Sequence, residues 1–298
     1  MKILVTGGAG FVGSRLMSSL LMLGHEVVCY DRLDFGVDPI RMYFEQPNFT
    51  FVQGDIQNTL LLKGMVKQAD VIVHLAALVG YPACDANPND AMNINVHAAH
   101  ALNAYRHREQ RVIFASTGSV YGKIADVACD EDTPLNPTSL YARTKMDGEK
   151  AFLDKGNAVA LRFATGFGLS PRQRNDTLVN DFVRQAVQNH QLSVYQPHAL
   201  RSIIHVLDMT RAIIQGVEYL NEGVYNCAAM NITKLELAHL IRRCGVPYTL
   251  EIVENATDPE CRDYQTRCAK LEQGGYVVAK VNTKQAIVDL ARYYDSAG

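Results

Sequence analysis

The sequence lacks the features that would place the protein in a membrane, on nucleic acid or in a disulfide scaffold. Among its 298 residues, no apolar run approaches the roughly 20 residues that cross a bilayer. The 29 Lys and Arg are balanced by 31 Asp and Glu, so there is no basic excess to attract nucleic acid. Its 7 cysteines include no Cys-x-x-Cys pair, which argues against a zinc site. We therefore expect no metal, no membrane partner and no nucleic-acid partner.

The sequence also lacks internal repeats and low-complexity segments, and its composition is that of a globular protein. Apolar residues make up 48% and charged residues 20% of the chain, which excludes a disordered or collagen-like protein. A strand-like run, Ile3–Val5, leads directly into a glycine-rich turn and leaves no room for a signal or transit peptide. A cytoplasmic location is the resulting expectation.

Short apolar runs rich in β-branched residues alternate with stretches of helical period in the first half of the chain. This alternation predicts an α/β fold, with a Rossmann-type doubly wound parallel sheet and helices on both faces. The predicted strands are Ile3–Val5, Glu26–Tyr30, Phe49–Val52, Val71–Leu75, Arg111–Ser116 and Ala158–Phe163.

The pattern changes near Gly166 and predicts a smaller C-terminal lobe. Residues 1–165 are assigned to a dinucleotide-binding domain, and 166–298 mainly to a substrate-binding lobe that contains a helix over 178–188. Strand-like runs at Ile203–Val206 and Val224–Cys227 are expected to return to the large sheet, so about 202–229 would rejoin the first domain.

A glycine-rich turn joins the first predicted strand to the first predicted helix. Gly7, Gly10 and Gly13 are spaced three apart, where side chains would block the turn and the approach of a pyrophosphate to the backbone. Phe11 and Val12 begin the helix, whose N-terminal N–H groups favour phosphate. The turn therefore predicts a dinucleotide site.

Acidic residues after the second and third strands refine that site. Asp31 ends the second strand, where a carboxylate accepts hydrogen bonds from ribose hydroxyls and repels a 2′-phosphate. NAD is therefore predicted rather than NADP, with the neighbouring Arg32 as a reservation because a guanidinium can bind that phosphate. Asp55 is a candidate contact to the adenine edge, or an ordinary turn residue.

Tyr141 and Lys145 are four residues apart and would share one helix face. A nearby ammonium and the positive nicotinamide ring both lower the pKa of a phenol, so Tyr141 could take a proton from a sugar hydroxyl. Thr117 ends the fifth strand, at the sheet edge where ligands of α/β proteins bind. These three residues are the predicted catalytic group.

Taken together, these motifs resemble the extended short-chain dehydrogenases/reductases of the nucleotide-sugar epimerase and dehydratase group, over essentially the whole chain. The resemblance implies tightly bound NAD, a nucleoside-diphosphate sugar substrate, hydride removal most often at sugar C4, and a homodimer formed through the helices near Asn95–Tyr105 and Tyr141–Leu153. The NAD contacts that it adds are Ile56, Leu75, Ala76, Ala77 and Asn95, besides Tyr141 and Lys145.

The same resemblance assigns substrate contacts in both lobes. Arg201 and Arg262 correspond to cations that bind phosphate, and Asn180 corresponds to an amide contact with the diphosphate. Arg172 and Arg174 are read as a solvated loop near the substrate mouth. The remaining predicted substrate contacts are Val79, Gly80, Tyr81, Thr117 and Thr165.

The residues after Thr117 bear on the type of reaction. Family 4,6-dehydratases carry an Asp-Glu pair there, whereas this chain has Gly118 and Ser119, which favours a C4 epimerase. A 4-dehydrogenase is equally compatible with these residues, and an NAD-binding scaffold or sensor is the non-enzymatic alternative. Thr165 replaces the Asn of many epimerases, so the sugar is open. The segment 161–182 resembles enzymes that supply sugars for surface polysaccharides.

Overall fold

The computed structural model describes residues 1–254, 263–276 and 279–296. The strands are β1 (Lys2–Thr6), β2 (Glu26–Asp31), β3 (Phe49–Gln53), β4 (Val71–His74), β5 (Arg111–Thr117), β6 (Lys123–Cys129), β7 (Ala158–Phe163), β8 (Thr165–Phe167), β9 (Gln191–Tyr195), β10 (Leu200–His205), β11 (Gly223–Cys227), β12 (Met230–Thr233), β13 (Thr249–Val253) and β14 (Asp263–Thr266). The α-helices are α1 (Phe11–Met22), α2 (Thr59–Val66), α3 (Tyr81–Ala86), α4 (Pro88–Ala91), α5 (Ala98–Tyr105), α6 (Leu140–Lys155), α7 (Leu178–Gln188), α8 (Val206–Glu218), α9 (Lys234–Arg243), α10 (Ala269–Gln273) and α11 (Thr283–Ser296).

A seven-stranded parallel sheet forms the centre of the fold, in the order β11-β7-β5-β4-β1-β2-β3. The predicted Rossmann-type sheet is therefore confirmed, and all six strands predicted for the first half of the chain belong to it. The strand order reverses between β1 and β4, because β2 and β3 continue to one side of β1 and β5 to the other. Ligands of doubly wound folds bind at this switch point, beyond the carboxyl ends of the strands.

Both faces of the sheet are covered by apolar packing. Neighbouring strand residues alternate between the faces, so Leu4 and Val5 belong to two different core clusters. Helices α1 and α8 cover the face of Val5, whereas α2, α5 and α6 cover the face of Leu4. The catalytic candidates on α6 are thereby held against the edge at which β4 and β5 end.

The remaining strands form smaller sheets. Strand β10 pairs with β8 in parallel and with β12 in antiparallel orientation, β9 pairs with β13, and β6 pairs with β14. Helices α7, α9 and α11 pack around a separate apolar core that includes Val183, Leu237 and Leu290. This second core belongs to the residues beyond 166.

The prediction that Ile203–Val206 returns to the large sheet is wrong. Strand β11 does pair with β7 at the sheet edge, and α8 packs on the sheet, but β10 lies in the three-stranded sheet. The chain leaves the large sheet after β7, and the three residues of β8 offer β10 a parallel partner outside it. Such a long-range pairing leaves no local trace in the sequence.

Helix α5 and the preceding π-helical turn at Met92–His97 pack beside α6. These elements correspond to the helices predicted near Asn95–Tyr105 and Tyr141–Leu153. The outward surface of this pair carries charged residues: His100 lies 2.6 Å from Asp147, and Lys150 lies 2.5 Å from Asp154. The homodimer expected through these helices stays a prediction. No helix within the described ranges has both the length and the apolar character needed to span a bilayer.

Candidate active site

The glycine-rich turn brings backbone to the positions where a cofactor phosphate would bind. Gly7 has a φ of +71°, and a Cβ there would lie 2.6 Å from the amide nitrogen of Ala76. A Cβ on Gly13 would lie 2.5 Å from the carbonyl oxygen of Gly7. Any side chain would therefore fill the cradle, and within the described residues no side chain caps the N-terminus of α1. The turn fits a dinucleotide phosphate, which the N–H groups and the helix dipole would stabilise.

Asp31 closes the adenosine end of this cradle. Its carboxylate accepts hydrogen bonds from the backbone N–H of Ala9 at 3.0 Å and of Leu33 at 2.8 Å. Burial raises the pKa of this carboxyl above its usual value, although both hydrogen bonds oppose the shift. Carboxylate oxygens have room for further donors, so Asp31 can hold these backbone groups and still accept from a ribose hydroxyl.

Arg32 is flanked by two carboxylates. Its Nε donates to Asp34 Oδ2 at 2.6 Å, and its Nη1 lies 3.3 Å from Asp55 Oδ2. These two negative charges already balance the guanidinium, which makes Arg32 a poor receptor for a 2′-phosphate. Arg32 is therefore a paired, partly exposed charge.

The segment after β4, residues 75–80, lines the cavity beside the cradle and is held in place by Asn95. The Asn95 side chain is buried, accepts from the N–H of Leu78 at 2.8 Å and donates to the Leu78 carbonyl at 3.0 Å. It also donates to Thr144 Oγ1 at 3.1 Å. Asn95 thus ties this segment to α6, and its contacts hold the cavity wall in position.

The catalytic candidates meet where β5 ends and α6 begins. Thr117 is buried, and its Oγ1 accepts from the N–H of Ser119 at 3.2 Å. Helix α6 begins after Ser139, whose Oγ accepts from the N–H of Ala142 at 3.1 Å. This cap sets the first turn of the helix, which carries Tyr141, against the end of β5.

Lys145 is an ammonium buried among largely apolar groups. The side chain is 4% exposed, and its Nζ lies 4.3 Å from the centre of the Phe114 ring. Burial lowers its pKa to about 7, against smaller opposing effects of Cys84 and Glu149. His74 is also buried, and its own pKa falls to about 3, so it stays neutral beside Lys145. His74 contacts Thr6 Oγ1 at 2.7 Å and packs inside β4.

Behind the catalytic residues lies a buried ion pair between α6 and β7. Glu149 Oε1 lies 2.6 Å from Arg162 Nη2, and Glu149 Oε2 accepts from Arg162 Nε at 3.1 Å. Ser116, next to Thr117, donates to Glu149 Oε2 at 2.6 Å. Arg162 Nη1 donates to the Tyr121 hydroxyl at 2.9 Å. This network connects α6, β5 and β7 directly below the site.

One cavity of about 520 Å³ connects the cradle with the catalytic candidates. Its volume lies in the usual range of small-molecule sites. The predicted site residues that line it are Gly7, Gly10, Phe11, Val12, Gly13, Asp31, Arg32, Ile56, Leu75, Ala76, Ala77, Val79, Gly80, Thr117, Tyr141, Lys145 and Thr165.

Other predicted contacts lie outside the lining formed by the described residues. They are Asp55, Tyr81, Asn95, Asn180 and Arg201. Asn180 is fully buried and donates to the Arg174 carbonyl at 2.7 Å, so it holds the segment after β8. Arg201 is 4% exposed and donates to the Leu200 carbonyl at 2.7 Å. Arg262 lies outside the described residues.

Several lining residues were not predicted as contacts. They include Phe35, Arg172, Arg174, Thr177, Met209 and Tyr264. Phe35 is an exposed aromatic residue in the loop after Asp31. Its position four residues after Asp31 is a sequence signal that could have identified it. Met209 and Tyr264 reach the cavity from distant segments, so only the fold could place them. Within the described ranges, no cluster of His, Cys, Asp or Glu could hold a metal ion.

Comparison with known proteins identifies the family. Residues 3–228 match the model of the NAD dependent epimerase/dehydratase family. A dTDP-glucose 4,6-dehydratase of Streptomyces niveus is 30% identical, over 89% of this chain and 83% of that protein.

Solved structures agree with this match. A dTDP-glucose 4,6-dehydratase of Bacillus anthracis in complex with NAD is 25% identical, with a TM-score of 0.85 over 99% of this chain and 97% of that one. The UDP-glucuronic acid 4-epimerase of Bacillus cereus, in complex with UDP-glucuronic acid and NAD, shares the fold with a TM-score of 0.88 over 100% of both chains at 24% identity. With a cradle that fits NAD and a Tyr–Lys pair on one wall of the same cavity, the chain belongs to the NAD-dependent epimerase/dehydratase family of nucleotide-sugar enzymes.

Proposed function

We propose that the protein is a nucleotide-sugar epimerase that works by transient oxidation at sugar C4. The observation that carries this proposal is the single cavity in which the glycine cradle, Thr117, Tyr141 and Lys145 are brought together. The cradle orients one ligand along the edge of the sheet, and the catalytic group lies beyond it. A sugar hydroxyl beside Tyr141 would then be within reach of a bound nicotinamide.

Each catalytic residue has a distinct role in this proposal. Tyr141 takes the proton of the C4 hydroxyl and returns it after the sugar has turned. The Lys145 ammonium stabilises the Tyr141 phenolate, and its own low pKa makes its charge responsive to pH near neutrality. The Thr117 hydroxyl holds the reacting oxygen. The cradle of Gly7, Gly10 and Gly13 would hold NAD, which would supply the acceptor and donor of the C4 hydride.

The residues after Thr117 support epimerisation over loss of water. A Cβ on Gly118 would lie 2.7 Å from the Tyr264 hydroxyl, so a carboxylate side chain does not fit there without moving Tyr264. Ser119 lines the cavity but offers only a hydroxyl. The site therefore lacks the acid and base, at these positions, that removal of water from the sugar would need.

The nucleotide part of the substrate is assigned to the lobe built mainly from residues 166–298. Thr165 lies in the cavity wall at the junction of the two lobes. Asn180, Arg201 and Arg262 remain the proposed contacts to the diphosphate, either directly or through the segments that they hold. We place the enzyme in the cytoplasm as a homodimer and assign it to the supply of sugars for surface polysaccharides.

Product analysis tests the proposal directly. Purified protein is incubated with NAD and a panel of nucleotide-sugars carrying deuterium at C4. The products are separated by chromatography and their masses are measured by mass spectrometry. A product of unchanged mass and changed chromatographic mobility supports epimerisation and identifies the sugar. A product lighter by one water would establish a dehydratase, and accumulation of reduced cofactor would establish a dehydrogenase. Bound NAD with no conversion of any sugar would favour the scaffold or sensor.

A further inference from the structure

The segment 168–177 crosses from the three-stranded sheet to the first turn of α1. Ser170 Oγ donates to the Phe11 carbonyl at 2.6 Å and lies 3.1 Å from Ser14 Oγ. The backbone N–H of Arg172 donates to Ser14 Oγ at 3.2 Å. These hydrogen bonds fix the crossing segment on the N-terminal turn of α1, beside the glycine cradle.

The side chain of Arg172 contacts the loop that follows β2. Its guanidinium carbon lies 3.5 Å from the centre of the Phe35 ring, in the loop that follows Asp31. Both residues line the cavity, and Phe35 is otherwise 62% exposed. A stacking contact between a guanidinium and an aromatic ring is attractive and brings the two sides of the mouth together.

Two arginines of this segment differ in how their charge is balanced. Arg174 donates to both carboxylate oxygens of Asp176, at 3.0 and 2.6 Å. Arg172, in the part of the chain that the structure describes, makes one side-chain hydrogen bond, to the Gln173 carbonyl at 3.2 Å, and no ion pair. A guanidinium has five N–H donors, so Arg172 keeps most of them for a ligand.

We propose that Arg172 binds a phosphate of NAD and, stacked on Phe35, closes the cavity over the cofactor. The anion that fits is the cofactor diphosphate, because Arg172 is anchored at the N-terminus of α1 and reaches toward the Asp31 end of the cradle. A closed mouth would keep the reduced cofactor in place between removal and return of hydride. The proposal concerns NAD alone and does not rest on which sugar reaction the enzyme performs.

The dissociation rate of NADH tests this role without any sugar. Holoenzyme loaded with NADH is mixed with a large excess of NAD, and the loss of NADH fluorescence is followed in time. We expect Arg172→Ala to accelerate dissociation about tenfold or more, since a charge-assisted hydrogen bond is lost. Phe35→Ala should accelerate dissociation as well. Because both substitutions remove the same contact, the acceleration in the double variant should be smaller than the product of the two single accelerations.

Arg41→Ala is the matched control, because it removes the same charge from the segment that follows Phe35 and lies outside the cavity lining formed by the described residues. The Arg41 guanidinium is exposed and lies 2.5 Å from Asp38, so the dissociation rate of this variant should stay within about twofold of that of the unaltered protein. Thermal unfolding without cofactor checks that each variant folds, and Phe35 is exposed enough for its loss to be tolerated. An unchanged rate for Arg172→Ala, or equal acceleration by Arg41→Ala, would overturn the proposal.

Discussion

Replacing Lys145 by Met should make the ligand-free protein more stable while it removes activity. The ammonium is buried against Phe114, and burial lowers its pKa from the ordinary 10.5 to about 7. Met has a similar length and no charge to desolvate, so it suits the same apolar surroundings. Turnover should be lost because nothing else in the described part of the cavity wall supplies a cation on the same helix face as Tyr141.

The size of the effect follows from the pKa. One unit corresponds to about 1.4 kcal/mol, so the charged ammonium costs the folded state about 5 kcal/mol at low pH. Between pH 7 and 10.5 the unfolded chain holds a proton that the folded chain has released, so the stability of the unaltered protein rises with pH across this window. Loss of the cation–π contact with Phe114 offsets about 1–2 kcal/mol of the gain.

Urea unfolding at several pH values measures this difference. The advantage of Lys145→Met in the free energy of unfolding should be greatest at pH 6 and fall by about half or more by pH 9. Subtracting the two proteins at each pH removes the titration of the groups that do not interact with Lys145. An advantage that is constant over this range, or that grows with pH, would refute the assignment of a depressed pKa to Lys145.

The remaining predictions concern the base, the cofactor and the buried ion pair. Tyr141→Phe should abolish turnover with NAD affinity unchanged within about twofold, and retained activity would exclude Tyr141 as the base. Asp31→Ala should weaken NAD about tenfold and NADP much less, by fluorescence titration; an unaltered preference would contradict the ribose contact. Glu149→Gln should lower the free energy of unfolding by about 3 kcal/mol, because Arg162 loses its buried counter-charge. Asp147→Asn, on the exposed face of the same helix, should change it by less than about 1 kcal/mol, and equal losses in both variants would count against the pair.

Local chemistry made the large sheet and its cradle predictable. Strand residues buried on both faces produce continuous apolar runs, as at residues 71–73 and 158–161, and such runs can be recognised without a structure. The glycines at 7 and 13 are required by close backbone contacts within a single βα turn. Tyr141 and Lys145 share a face because of helical period alone.

Contacts between distant segments were not predictable in the same way. Nothing near Ile203 indicates that β10 pairs with β8 and β12 rather than with the large sheet. The sequence does not show that the Asn180 amide donates to the Gly168 and Arg174 carbonyls and so holds the segment after β8. The hydrogen-bond partners of parallel strands and buried amides are often distant in sequence. They become neighbours only when the whole chain has packed.

The sequence by itself determined the family, the parallel sheet, the dinucleotide cradle and the three catalytic candidates, because each depends on residues close together along the chain. Only the tertiary structure decided which side chains share the cavity. It placed Arg172 against Phe35, set Tyr264 against Gly118, and buried Lys145 deeply enough to lower its pKa. Desolvation and long-range contacts depend on what surrounds a residue in three dimensions, and the linear order of residues does not specify those surroundings.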